Sequence, residues 1–572
     1  MTASSGRMCH RTALRRHARR AVLLAGLCFI ITLPPGTASA QVVADATATE
    51  RIEIDPLDVV GVDTTGALTV AEGALPVDMW RDTPRSLIDE LLPRLPGETP
   101  SPATRSLMRR LLLTGAAIPP GEAEPGRLLD ERAAALWRMG ATEDLLQLIA
   151  AVPVDRRSPR LWQLETNAHL LAGNASAACR TAEDQIATGP GDDYWHEVTG
   201  FCQALAGDRD GALLTVAVLS ERGADVAAYR AMIEALGSGR GAIPEDVEPT
   251  PLSIAMLRAA GRSPDPKVAE QADLAVLVTI ARAEPFAQPL RLAAGERVAA
   301  IGLLPAEELY PLLGHTRQPM AGFRGVPART PLKSTVAVLR ETLASGQDRD
   351  DPAAAAVQVL TAGLSNADWL QATHFVAPWL ESATPRTQPP ASARVIAPAL
   401  LVLDERTHAE AWLDGLAGNG EGATAAAATL QALLPLARIA RLRQAQAWNV
   451  ELLADWRQAE QGRTGARLRR ERELAMLQAT GETIPGPLWR SLLQNSAQVP
   501  GIELDVAFRA QLTPAGGARR VGETALLALV GLGRDGPQIL STASLELVVS
   551  SLRAAGLEAD ARALAVEAVS AR

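Results

Sequence analysis

Apolar residues recur along this chain at steps of three and four, the spacing that lines one face of an α-helix. The pattern is sharpest between Leu136 and Gly223, where three stretches share one grammar. Each is an apolar-periodic run that ends in a glycine, followed by a small polar residue and a second run rich in alanine. The glycines are Gly140, Gly173 and Gly207, spaced 33 and 34 residues apart. Glycine supplies the left-handed residue that closes one helix. The residues after it, Thr142, Asn174 and Asp208, are of the type that accepts from the free amides opening the next. The predicted unit is a helical hairpin. The same grammar returns around Gly556, and without the glycine in Leu401–Trp412.

A period of 34 residues, with a small residue on the second helix, resembles the tetratricopeptide repeat. The match is partial. Trp162 stands near the start of one unit, His196 replaces it in the next, and no proline closes the unit. The predicted fold is all-α, a tetratricopeptide-like α-solenoid of helical hairpins. Further helical periodicity marks Val268–Arg282, Leu290–Ile301, Ala353–Leu364 and Asp368–Leu380. Residues 41–84 differ. Arg51-Ile52-Glu53-Ile54 alternates, and the β-branched run from Val59 to Val70 contains a Thr64-Thr65-Gly66 turn, the pattern of a small β-hairpin. Proline- and glycine-rich breaks fall at Gly239–Pro251, Gly314–Pro331, Ala383–Ser392, Gly415–Gly422 and Thr513–Gly517. The resulting division is 1–40, 41–84, 85–240 (the repeats), 241–420 and 421–572.

The first 40 residues carry six arginines and no acid, then an apolar run from Ala21 to Leu33, then Ala38-Ser39-Ala40 before Gln41. This three-part layout predicts a secretory signal cut between Ala40 and Gln41, with the mature protein in the periplasm. An uncleaved anchor is the alternative, and the run falls short of the roughly 20 residues that span a bilayer. The export route, Sec or twin-arginine, stays open. Removing the signal moves the net charge from −9 to −15, a poor balance for binding nucleic acid. It also leaves two cysteines, Cys179 and Cys202. A disulfide is the simplest arrangement for them in an oxidising compartment. Free thiols, or a zinc site with His169 and His196, are the alternatives, and the spacing fits no compact zinc motif. In a hairpin stack the two cysteines fall on neighbouring helices.

Composition narrows the chemistry. Aromatic residues make up only 3%, which favours helix over an aromatic-rich sandwich. Basic residues are almost all arginine: the 56 include only Lys267 and Lys333 as lysines. Lys333 follows Leu332, so no phosphate-binding loop of the Walker type is present. His196-Glu197 opens like a zinc-protease helix, but Gly200 stands where the second histidine belongs. Asp208-Arg209-Asp210-Gly211 lacks the distal acids of a calcium loop and reads as turn plus cap. Neither a GxSxG elbow nor an SxxK pair occurs. No catalytic, cofactor or metal residue is assigned.

Two features remain for binding. Arg463, Arg467 and Arg470 form a stripe on a helix, able to meet an acidic partner or to be salt-bridged in solvent. Trp369, Trp379, Trp412, Trp448, Trp456 and Trp489 either line a sugar-binding groove or anchor helices in the core. The function expected is a non-catalytic periplasmic scaffold or adaptor holding a protein or peptide. The alternatives are a peptidoglycan- or glycan-binding accessory protein and, behind it, a hydrolase.

Three stretches, Asp78-Met79-Trp80, Met108–Thr114 and Gly522–Ala568, resemble a family of secreted proteins of Gram-negative bacteria. Its members are sometimes labelled antifreeze-glycopeptide-like. Such glycopeptides are long Ala-Ala-Thr arrays, and this chain has only Ala423–Thr429, which an alanine-rich helix also produces. The resemblance implies no activity and brings no catalytic residue.

Overall fold

The computed structural model describes residues 61–189, 192–238, 243, 247–314, 334–385, 388–416, 423–445, 456, 465–493 and 501–570. It is all-α and 71% helical, with helices packed in neighbouring pairs as in a helical-repeat solenoid. Among the described residues there is no strand, only an isolated bridge between Ile502 and Leu540. No described helix is long and apolar enough to cross a membrane.

The hairpins form where the periodicity places them. Pro159–Leu171 pairs with Ala175–Thr188, and Asp193–Leu205 pairs with Arg209–Glu221. Arg127–Arg138 and Thr142–Ala150 precede them, and Ala227–Ser238 follows. The turn chemistry is uniform. Gly140, Gly173, Gly207 and Gly556 all have left-handed φ, between +70° and +95°. The amide just beyond each bonds back five residues: Ala141 to Leu136, Asn174 to His169, Asp208 to Gln203 and Leu557 to Leu552, at 2.9–3.0 Å. In the glycine-free copy Asp404 takes the left-handed position at φ +63°, and Glu405 N donates to Leu400 O at 2.8 Å.

The caps differ from the expectation. Only Asp208 caps with its side chain, accepting from Gly211 N at 3.0 Å. Asn174 turns its carbonyl oxygen to the Ser176 hydroxyl instead, and Thr142 is already the first helical residue, behind Ala141. Cys179 and Cys202 lie on adjacent helices at disulfide distance, with Cα atoms 5.8 Å apart.

Three further expectations change. Within 61–84 the described chain forms two 3-10 turns, Val62–Thr64 and Val70–Glu72, in place of a hairpin. Its amides are used elsewhere: Ala67 N and Leu68 N both donate to Leu113 O, at a helix end. Residues 41–60, with Ala40 and Gln41 before them, lie outside the described residues. Thr513–Gly517 is the end of the helix Val506–Gly517 rather than a break. There Gly516 lets two helices touch, since a Cβ would sit 2.6 Å from Ser551 O. Val268–Arg282 divides into Val268–Gln271 and Leu274–Arg282 at an extended Ala272.

The array closes on itself. Residues from Asp58 onward form one compact unit. Val521–Leu532 and Glu558–Ser570, near the end of the chain, both pack on Pro102–Leu113, near its beginning. Gly522 N donates to Met79 O at 2.9 Å, and a Cβ on Gly522 would lie 2.5 Å from the Trp80 ring. Pro102–Leu113 is a hub: its Leu107, Met108, Leu112 and Leu113 are fully buried. Arg105 reaches Ile301 O from it at 2.6 Å, and Arg109 forks onto Asp144. The interior of the array is thus filled by the chain's own helix.

Arginine ties the layers together by capping the carbonyls that helix ends leave open. Arg132 donates to Leu112 O, Thr114 O and Thr65 O at 2.7–2.9 Å. Arg258 donates to Leu170 O and Leu171 O, and Arg562 to Ile439 O and Thr480 O. A planar fork can hold two carbonyls at once, which a lysine ammonium does less well. Arg132, Arg258 and Arg562 each use that fork on two or more carbonyls.

Candidate functional site

Among the described residues, three of the clefts are large enough to receive a ligand or a side chain of a partner. The first encloses about 510 Å³ between the repeats and the next layer. Its walls are Leu146 on Thr142–Ala150, Ala168 and Leu171 at the end of Pro159–Leu171, and Val278 and Thr279 on Leu274–Arg282. Two repeat glycines make this approach possible. A Cβ on Gly140 would meet Leu303 Cδ1 at 3.0 Å and Leu274 Cβ at 3.1 Å, and one on Gly173 would lie 3.4 Å from Arg258 Nη2. These two turn glycines are also contact points between layers, whereas Gly207 and Gly556 have open space around them.

The two arginines of this cleft are engaged, and Glu143 and Glu284 also line it. Arg258 holds the Leu170 and Leu171 carbonyls at 2.7 and 2.8 Å, and burial lowers its pKa. Arg282 pairs with Glu308 through two bonds of 2.8 and 3.0 Å, and that carboxylate raises its pKa. Both partners are more than a third exposed, so the pair adds under about 1 kcal/mol. The surface left for recognition is alkyl at Leu146, Leu171, Ala275 and Val278, with the carboxylates of Glu143 and Glu284 beside it.

The second cleft, about 280 Å³, opens between Pro102–Leu113 and Glu558–Ser570. Arg110 and Asp560 close one end, bonded at 2.6 and 2.7 Å. Glu567 lies at the other end, 1% exposed, accepting from Ala103 N at 2.7 Å and from Ser101 Oγ. Burial pushes its carboxyl up to about 7 against these two hydrogen bonds.

The third cleft, about 490 Å³, is the most polar. Glu98, Asp368, Gln371, Arg534, Asp535 and Gln538 converge on it from three stretches of chain. Glu98 accepts from Arg534 and Arg297, and Thr335 donates to Asp368 at 2.7 Å. Burial raises the Asp368 pKa. Gln538 Nε2 is sealed from solvent without a hydrogen-bond partner. Just behind, His374 donates from Nε2 to Pro100 O at 2.9 Å, and burial holds its pKa down to about 4.

The residues singled out in the sequence fall mainly outside these clefts. Arg467 pairs with Glu471 at 3.7 Å, Arg470 donates to Ala466 O at 3.3 Å, and both are half-buried. Arg463 lies outside the described residues, as does Trp448. Trp369, Trp379, Trp412 and Trp456 are buried core anchors, and Trp489 is partly buried. His196 and His169 belong to the helices Asp193–Leu205 and Pro159–Leu171, and no metal-holding cluster occurs among the described residues.

Sequence reading missed Glu567, Asp560, Arg132 and Asp63. For Glu567 the signal was present: a lone acid inside the apolar run Leu564-Ala565-Val566-Glu567-Ala568-Val569. Asp63 accepts from Gly126 N and Leu129 N at the opening of Arg127–Arg138, across more than 60 residues that no local pattern links.

Compared with known proteins, this chain matches no family model, no curated protein and no solved structure.

Proposed function

We propose that the protein is an exported, periplasmic scaffold or adaptor, without catalytic activity, that binds a protein or peptide on its helical-repeat surface. The observation that carries this reading is the 510 Å³ cleft between the repeats and Leu274–Arg282. Its alkyl residues suit the apolar side chains of a peptide, its arginines are already bonded, and Glu143 and Glu284 disfavour an anionic ligand. The half-buried Leu146 and Val278 face that space. The charged, apolar and small-residue order of positions 7–41 supports export, and a bonded Cys179–Cys202 pair suits an oxidising compartment.

The test uses the mature chain as bait, identifies what crosslinks to it in an envelope extract, and measures affinity for that partner. Val278→Arg and Leu146→Arg fill the cleft with charge at half-buried positions. They are expected to weaken binding more than tenfold while leaving the circular dichroism spectrum and melting temperature unchanged. Unaltered affinity in both variants refutes the site.

A second reading, a peptidoglycan-binding accessory protein, is favoured by the polar 490 Å³ cleft with its unbonded Gln538 amide. Co-sedimentation with purified sacculi, lost on Gln371→Ala, would replace the first reading with this one.

A further inference from the structure

Glu567 joins the end of the chain to its beginning through a relay of three oxygens. Its Oε2 faces Ser101 Oγ, which lies 2.7 Å from Thr104 Oγ1 and accepts from Thr104 N at 3.0 Å. A serine hydroxyl has one proton to give. With Glu567 neutral, its own O–H donates to Ser101 and Ser101 donates to Thr104. With Glu567 ionised, Ser101 donates to Glu567 and Thr104 donates to Ser101. Both protonation states keep every hydrogen bond with the heavy atoms in place, so what changes between them is a buried charge.

Little offsets that charge. The positive end of Pro102–Leu113 favours it modestly. The charged residues on the facing elements are committed elsewhere. On the hub helix Arg110 is held by Asp560, and Arg105 by Ile301 O. On Thr542–Ala554, Arg553 caps Ala479 O and Glu546 accepts from Gln478. On Ala466–Ala479, Arg472 donates to Leu540 O, and Glu473 lies beside it in sequence. Arg438 on Ala423–Ile439 pairs with Glu482, and Arg394 on Ala393–Val402 donates to Ala428 O. Asp404 lines the same cleft as Glu567. What acts on the Glu567 carboxyl is burial, Ser101 and Ala103.

We propose that the contact between Glu558–Ser570 and the start of Pro102–Leu113 is a pH-sensitive latch, which holds the array closed in acid and loosens it in alkali. The sign follows from linkage. The folded state keeps this proton up to about 7, whereas an ordinary glutamate loses it near 4.5. The stabilisation is therefore complete below the ordinary value and is lost as pH rises through about 7. His374 acts in the opposite sense: held neutral, it weakens the fold as pH falls from about 6.5 toward 4.

The test compares the full chain with Glu567→Gln, whose amide accepts from Ala103 N and donates to Ser101, by chemical denaturation and hydrogen exchange between pH 5 and 9. Both proteins share His374, so their difference isolates Glu567. The wild-type unfolding constant, relative to the variant, is expected to rise up to about tenfold per pH unit below pH 7 and then level off. Exchange should quicken first in 103–113 and 558–570, ahead of the repeat hairpins. Superimposable pH profiles overturn the proposal. Should Glu567→Gln fail to fold, Ser101→Ala decides. Ser101 bonds the carboxyl in both states but more strongly when it is ionised, so without it the wild-type transition must move to higher pH, and an unmoved transition overturns the latch.

Discussion

The repeat hairpins and the seam between the chain's two ends are both built of paired helices, yet they hold by different means. In the repeats each helix meets a neighbour within about 35 residues. Glycine turns set the direction, and a helix such as Ala175–Thr188 buries only Ala178 and Ala182 outright. At the seam, partners lie more than 400 residues apart, and the helix Glu558–Ser570 buries Asp560 and Glu567 along with its apolar face. Local order is supplied by turn chemistry and small side chains. Distant order is supplied by buried charges whose bonds leave no register to slide along.

The largest effect is expected from removing a buried charge at intermediate range, where the bonded partners lie 18–67 residues away. Arg132, 2% exposed, holds three carbonyls at the hub, and burial brings its pKa down to about 10, so it stays charged at neutral pH. Arg132→Ala is expected to cost about 3–5 kcal/mol, because three buried carbonyls and the facing Asp63 lose a partner. Urea denaturation should show the loss globally rather than at one hairpin. A cost under 1 kcal/mol would show that buried charge adds little beyond the local turns.

Next comes the disulfide. Replacing Cys179 and Cys202 by alanine opens a link across 23 residues, worth about 3 kcal/mol in the chain-entropy description. Because its partners are local, hydrogen exchange should rise in 175–205 and stay unchanged at the seam. Equal change at both places would show that the repeats and the seam are one cooperative unit.

The smallest effects lie at the turns. Gly207 has φ +82° and open space around it, so Gly207→Ala should cost about 1 kcal/mol through backbone strain alone. Gly140→Ala should cost more, since its Cβ would also press on Leu274 and Leu303. Ala367 already sits at φ +61°, and Ala367→Gly should gain up to about 1 kcal/mol in melting measurements.

Legibility in the sequence follows the same division. The glycine-marked hairpins could be read because a turn is encoded in five or six adjacent residues. The cysteine pairing followed from placing those hairpins side by side. The turn at Asp404 could still be read as a copy without its glycine, whereas Ala367 hides another, since its left-handed backbone carries a side chain that does not announce it. The hub could not be read. Leu107, Met108 and Leu111–Leu113 signal burial, but nothing beside them says that the covering helices lie at 521–532 and 558–570. The same holds for the clefts, each of which draws its walls from at least three separate stretches.

Closure also bears on how such a molecule comes into being. A chain that emerges from its amino end presents Pro102–Leu113 about 400 residues before Val521–Leu532 and Glu558–Ser570 arrive to cover it. At synthesis rates of about 5–20 residues per second, a bare leucine-rich helix waits some tens of seconds for its cover. The hairpins of the repeats can mature during that interval, and the final fifty residues then act as the keystone that ends the wait.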